Sequence, residues 1–168
     1  FVSLKKTMEG QARQAILDLM KTGDPEACLV SLGAFLDAHP DEMEPLTLPC
    51  ARALASREPP AAAPAARLLH RLLDRDPDRK DLLYMRGRLR ELSGDPAGAL
   101  ADLGRLTALE PRDPELHFLK ARNYLKLGRV QEAGAALDAC EALLVAPSPQ
   151  AVRSVQDLRG EIGDARAP

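Results

Sequence analysis

Between Asp81 and Leu143 one helix–turn–helix unit is written twice. Gly87 recurs as Ala121, Gly94 as Gly128, Ala99 as Ala133 and Leu103 as Leu137, each 34 positions further on. This period constrains the fold more tightly than composition does. A two-helix unit of that length cannot bury its apolar face alone, so it has to stack on a copy of itself.

The same grammar extends outward. From Leu4 to Met20, the apolar positions Leu4, Met8, Ala12, Ala15, Ile16, Leu19 and Met20 fall at helical steps and predict a helix. Gly23-Asp24-Pro25 then punctuates as Gly94-Asp95-Pro96 does later, with a capping acid before a proline suited to the first helical turn. A helix carrying Ala27, Cys28, Leu32, Phe35 and Leu36 follows and should stop before Pro40. The next stretch is less regular. Pro49 predicts a short helix starting near it, because an interior proline costs roughly 3 kcal/mol. Pro59-Pro60 replaces the turn glycine, and Ala61 to Ala66 opens a helix striped by Leu68, Leu69, Leu72 and Leu73. A last amphipathic segment, Ala151 to Ile162, carries Val152, Val155, Leu158 and Ile162, after which Gly163 to Pro168 should fray.

This pattern resembles the tetratricopeptide repeat. The marks are a small residue on the first helix (Gly87, Ala121), an aromatic near its end (Tyr124) and a turn glycine (Gly94, Gly128). A small residue on the second helix (Ala99, Ala133) and a closing proline (Pro111) complete the set. Arg90 departs where Tyr124 stands one repeat on, Arg86 and Lys120 replace commoner aliphatics, and Pro147 falls late. The resemblance implies an all-α, right-handed superhelical stack of about four repeats, near residues 9–42, 46–79, 80–113 and 114–147. A capping helix near 149–162 closes a single domain over 1–162, with 163–168 as a tail.

In that family the first helices line a concave groove that takes an extended peptide or a partner's helix. By resemblance the groove column carries Arg13, Leu17, Met20 and Lys21, then Cys50, Leu54 and Arg57. Tyr84, Arg88, Glu91 and Leu92 follow, then Phe118, Arg122, Leu125 and Lys126. Aromatic over arginine occurs twice, and cations outnumber acids there. Both point to a protein partner with apolar anchors and flanking carboxylates. The competing reading is internal: Tyr84 and Phe118 pack between neighbouring first helices while Arg88 and Arg122 pair with Glu91 and Glu115. Some relatives grip chaperone tails with Lys and Asn in these columns; here the columns hold Tyr84, Arg88, Phe118 and Arg122, which argues against that ligand.

A formal net charge of −2 supplies no field for nucleic acid. In Arg86-Gly87-Arg88-Leu89-Arg90 the three arginines point different ways around a helix, so a solvated or mixed face accounts for them. Aromatics make up 3% and Trp is absent, so the core must be Leu and Ala. Cys28, Cys50 and Cys140 are too scattered for a metal motif and odd in number, which predicts buried free thiols and slightly favours a reducing, cytoplasmic compartment. The start at Phe1 leaves an upstream leader or anchor, and with it a periplasmic or membrane-anchored setting, open. No apolar run reaches the ~18 to 20 residues of a membrane span. His39, His70 and His117 each lack a second ligand at helical spacing, and no nucleophile–base pair or phosphate loop is present. The expectation is a non-catalytic, cofactor-free protein-binding scaffold, adaptor or assembly factor. Its rival is a structural or self-association module, or the repeat fragment of a larger protein whose catalytic or membrane part lies elsewhere.

Overall fold

The computed structural model describes residues 2–167, and side chains from Gly10 onward, so the side chains of Leu4 and Met8 in the first apolar stripe lie outside what it describes. Among the described residues the regular structure is entirely helical. The helices are α1 (Val2–Thr22), α2 (Pro25–Ala38), α3 (Met43–Ala55), α4 (Ala62–Arg75), α5 (Lys80–Leu92), α6 (Pro96–Leu109), α7 (Pro114–Lys126), α8 (Val130–Leu143) and α9 (Pro149–Arg166), with a 3-10 turn at Pro40–Glu42.

The punctuation acts as its chemistry predicts. Asp24, Asp95 and Asp113 accept hydrogen bonds from the backbone N–H of Ala27, Gly98 and Glu115 at 2.8, 2.8 and 2.9 Å. Each cap satisfies an otherwise orphaned donor at a helix start. Gly94 and Gly128 turn the chain with φ of 80° and 69°, a conformation that Cβ-bearing residues adopt only at a cost.

Contacts sort the chain into two compact units, 1–82 and 83–168, with the border inside α5. In stacked repeats contacts run mainly between neighbours, so no single centre organises the chain.

In the first unit α1 packs on α2 and α3, and α4 packs on α2 and α3. Pro49 does not start α3, which begins at Met43 and carries the proline inside it. The early turns bury Met43, Leu46, Thr47, Cys50 and Ala51. At about 0.8 kcal/mol per buried methylene, that packing offsets the roughly 3 kcal/mol of an interior proline. Burial also corrects the groove column here: Met20, Cys50 and Leu54 are core residues, each no more than 1% exposed. Cys28, Cys50 and Cys140 are buried free thiols as expected, and burial pushes the Cys50 thiol up to about 11.

In the second unit the small-residue frame holds two helix pairs together. A Cβ on Gly87 would stand 3.5 Å from Leu103 and 3.7 Å from the Ala99 carbonyl, so α5 and α6 meet at their narrowest side chains. In the next repeat Ala121, Ala133 and Leu137 are fully buried in one cluster with Cys140, Val155, Leu158 and Ile162, which closes α7, α8 and α9 around one core. Ala133→Leu should therefore overpack α7 against α8 and cost about 1 to 3 kcal/mol, read as a lower urea midpoint at unchanged slope.

α9 runs past Gly163 to Arg166. Ion pairs from Arg159 to Asp138 (2.7 Å) and Glu141 (2.8 Å) fasten it to α8, and the Arg166 guanidinium rests on Gly134, where no side chain obstructs it.

Candidate functional site

The first helices of the two best repeats, α5 and α7, wall an open cleft of about 590 Å³. Tyr84, Met85, Arg88, Leu89, Glu91, Leu92, Arg122 and Lys126 line it. Helical periodicity sets this up: Glu91 and Leu92 lie one turn after Arg88 on α5, and Lys126 one turn after Arg122 on α7.

Glu91 is the keystone. It is only 6% exposed, yet one of its oxygens accepts from Arg122 Nε at 3.0 Å, from Arg122 Nη2 and from Lys126 Nζ at 2.9 Å. Arg88 Nε lies 4.0 Å from the other oxygen. Burial pushes the Glu91 carboxyl up, but the hydrogen bonds and charges of Lys126 and Arg122 outweigh it and hold the group below its ordinary range. Three cations and one acid leave the cleft with an excess of two positive charges. Glu91 engages two of Arg122's five N–H donors and one of Lys126's three, so it orders these cations without exhausting them.

Tyr84 forms one wall and donates from its hydroxyl to Glu115 Oε1 at 2.5 Å. Burial first, and the Glu115 carboxylate second, push its phenol above the ordinary value. Of the internal pairings, Arg122 bonds Glu91 and Arg88, 45% exposed in its side chain, makes the loosest ion pair in the cleft with the same acid, whereas Glu115 is engaged by the Tyr84 hydroxyl rather than by an arginine of the column.

The remaining sequence candidates lie elsewhere. Phe118, one period after Tyr84, lines a separate apolar cleft between α7, α8 and α9, and Leu125 packs on the α7–α9 core. Arg13 forms a two-point pair with Glu42, Nε to Oε2 at 2.6 Å and Nη2 to Oε1 at 2.5 Å. Arg57 donates to the carbonyls of Gly23 (2.6 Å) and Met20 (3.5 Å), closing the end of α1. Both arginines hold the first unit together internally.

Sequence reasoning missed a second charged cluster. Asp102 on α6, 3% exposed, accepts from Arg86 at 3.0 and 2.6 Å and from Arg90 at 2.9 Å. Arg86 and Arg90 therefore lie against α6 rather than on a solvated face, and of the three arginines of that run Arg88 is the one that lines the cleft. Asp102 sits on the apolar stripe beside Ala99, Leu103 and Leu106, and this was the available signal. A lone acid on a buried stripe demands a cation from the neighbouring helix.

Two tetratricopeptide repeat family profiles match the chain, one over residues 51–103 and one over 92–152. The chain belongs to the tetratricopeptide repeat family. Its fold is similar to solved structures of MamA. One, MamA 41-end from Desulfovibrio magneticus RS-1, is 17% identical over 92% of this chain and 88% of that one, with a TM-score of 0.61. A second, MamA AMB-1, is 18% identical over 96% and 87%, with a TM-score of 0.62. A MamA RS-1 double mutant is 16% identical over 91% of each chain, with a TM-score of 0.60. At these identities the likeness is one of fold. No match is found among curated protein sequences.

Proposed function

We propose that this chain is a non-catalytic scaffold, adaptor or assembly factor that holds an acidic peptide or helix of a partner protein in the α5–α7 cleft. The family's fold belongs with protein-interaction scaffolds, which supports the broad class. The observation that carries the finer reading is the cleft's charge. Arg88, Arg122 and Lys126 converge beside exposed Leu92 and the ring of Tyr84, in a chain that is acidic overall. Ordered cations beside apolar walls favour carboxylates flanked by apolar side chains.

Arg88 is the residue to test, because Arg122 is bonded to buried Glu91 and its reversal would disturb the fold as well as the site. Arg88→Glu should weaken capture of the partner at least about tenfold, the loss expected for a charge-assisted contact. The helical circular-dichroism signal and melting midpoint should stay within error. Normal capture by Arg88→Glu would remove the cleft from consideration and turn attention to the convex face or α9.

A further inference from the structure

The residue that the repeat equates with Tyr84 does not share its cleft. Phe118 faces a chamber of about 250 Å³ on the other side of α7, walled by Pro114, Leu144, Ala151, Val155 and the Cys140 thiol. Ser154 and Glu115 are the polar residues at its edge. Glu115 also accepts the Tyr84 hydroxyl, so this one hydrogen bond is the ridge where the cationic cleft and the apolar chamber meet.

We infer that the two compartments form one bipartite site, which reads an acid and an apolar anchor at a fixed separation along a single partner segment. The inference rests on the proposed partner-binding role of the α5–α7 cleft. The cleft's two excess positive charges select the acidic end of the partner. The chamber has room for one large aliphatic or aromatic side chain, which would lie against the Phe118 ring. The compartments flank α7 about one interhelix spacing apart, on the order of 10 Å, and also use different levels of it, Arg122 and Lys126 for the cleft and Pro114, Glu115 and Phe118 for the chamber, about 12 Å along the axis. Their centres therefore lie on the order of 15 Å apart. An extended chain advances about 3.3 Å per residue, so the anchor falls about four to five residues from the acids. A helical partner rises only about 1.5 Å per residue and would need about ten.

The test uses the full chain and fluorescently labelled synthetic peptides made of an Asp-Asp pair and one Leu in a Ser/Gly background. The number of residues separating Leu from the acids is varied from one to eight. Fluorescence anisotropy should show strongest binding at a separation of about four to five, and replacing Leu with Ala at that separation should weaken binding about tenfold. Ser154 is exposed, so Ser154→Trp can fill the chamber from its rim without entering the core. It should reduce the Leu peptide to the level of the Ala peptide, whereas Ser154→Ala should not. Binding that responds to Arg88→Glu but is indifferent to Leu, to its spacing and to Ser154→Trp would overturn the bipartite site while leaving the cationic cleft in place. Binding indifferent to Arg88→Glu as well would overturn both. A dimer in sedimentation that Ser154→Trp dissociates would make a second copy of this chain the occupant, and would overturn the inference too.

Discussion

Asp102→Ala should lower the unfolding free energy by about 3 to 5 kcal/mol, the cost of removing one partner from a buried ion cluster. Asp102 accepts three hydrogen bonds from Arg86 and Arg90, whose side chains are 11% and 26% exposed. Without the carboxylate, two guanidinium groups remain against α6 with little access to water. The next repeat shows how the same place is filled without an acid, because Arg86, Arg90 and Asp102 correspond there to Lys120, Tyr124 and Ala136. The aromatic missing at Arg90 and the acid at Asp102 are therefore one exchange. Installing Lys, Tyr and Ala together at 86, 90 and 102 should recover most of the stability that Asp102→Ala alone loses. Urea unfolding of the single and triple variants checks this, and equal losses in the two would show that the triad is not an exchangeable unit.

Glu91→Gln should cost less, about 1 to 3 kcal/mol at neutral pH. Its partners Arg88, Arg122 and Lys126 are 36 to 46% exposed and can regain water when the carboxylate is neutralised. The effect depends on pH in a defined direction. The folded protein holds the Glu91 carboxyl below its ordinary value of 4.5, so its stabilisation is complete above that value and is lost as pH falls through the lower folded value. Wild type and Glu91→Gln should thus differ most at pH 6 to 8 and converge under acid. A gap that stays constant from pH 8 down into acid would mean that the charge of Glu91 is not what stabilises the fold.

Much of the fold was legible because it rests on short-range chemistry. The glycines at 94 and 128, the caps at Asp24, Asp95 and Asp113 and the small contacts at Gly87 and Ala133 are each written within a few residues of where they act. The failures had tertiary causes. Pro49 lies inside α3 because burial around it outweighs its local penalty. α9 continues past Gly163 to Arg166, whose guanidinium lies against Gly134 of α8. For the site, the family resemblance put Tyr84, Arg88, Glu91, Arg122 and Lys126 in one groove column but could not reveal that Glu91 is buried beneath the cations. It also could not separate Phe118 from Tyr84, because the chamber at Phe118 exists only once α9 has packed on α7 and α8. Arg13 and Arg57 share the column's spacing, but their side chains reach Glu42 and the end of α1.

The most direct test of the cleft as the binding site is site-specific photo-crosslinking from Leu92, which lines the cleft and is 63% exposed, compared with Val30 on α2, 75% exposed and far from it in sequence. The account predicts a partner captured from position 92 and not from position 30, with capture abolished by Arg88→Glu. Capture from position 30 alone, or capture from position 92 that survives Arg88→Glu, would contradict it.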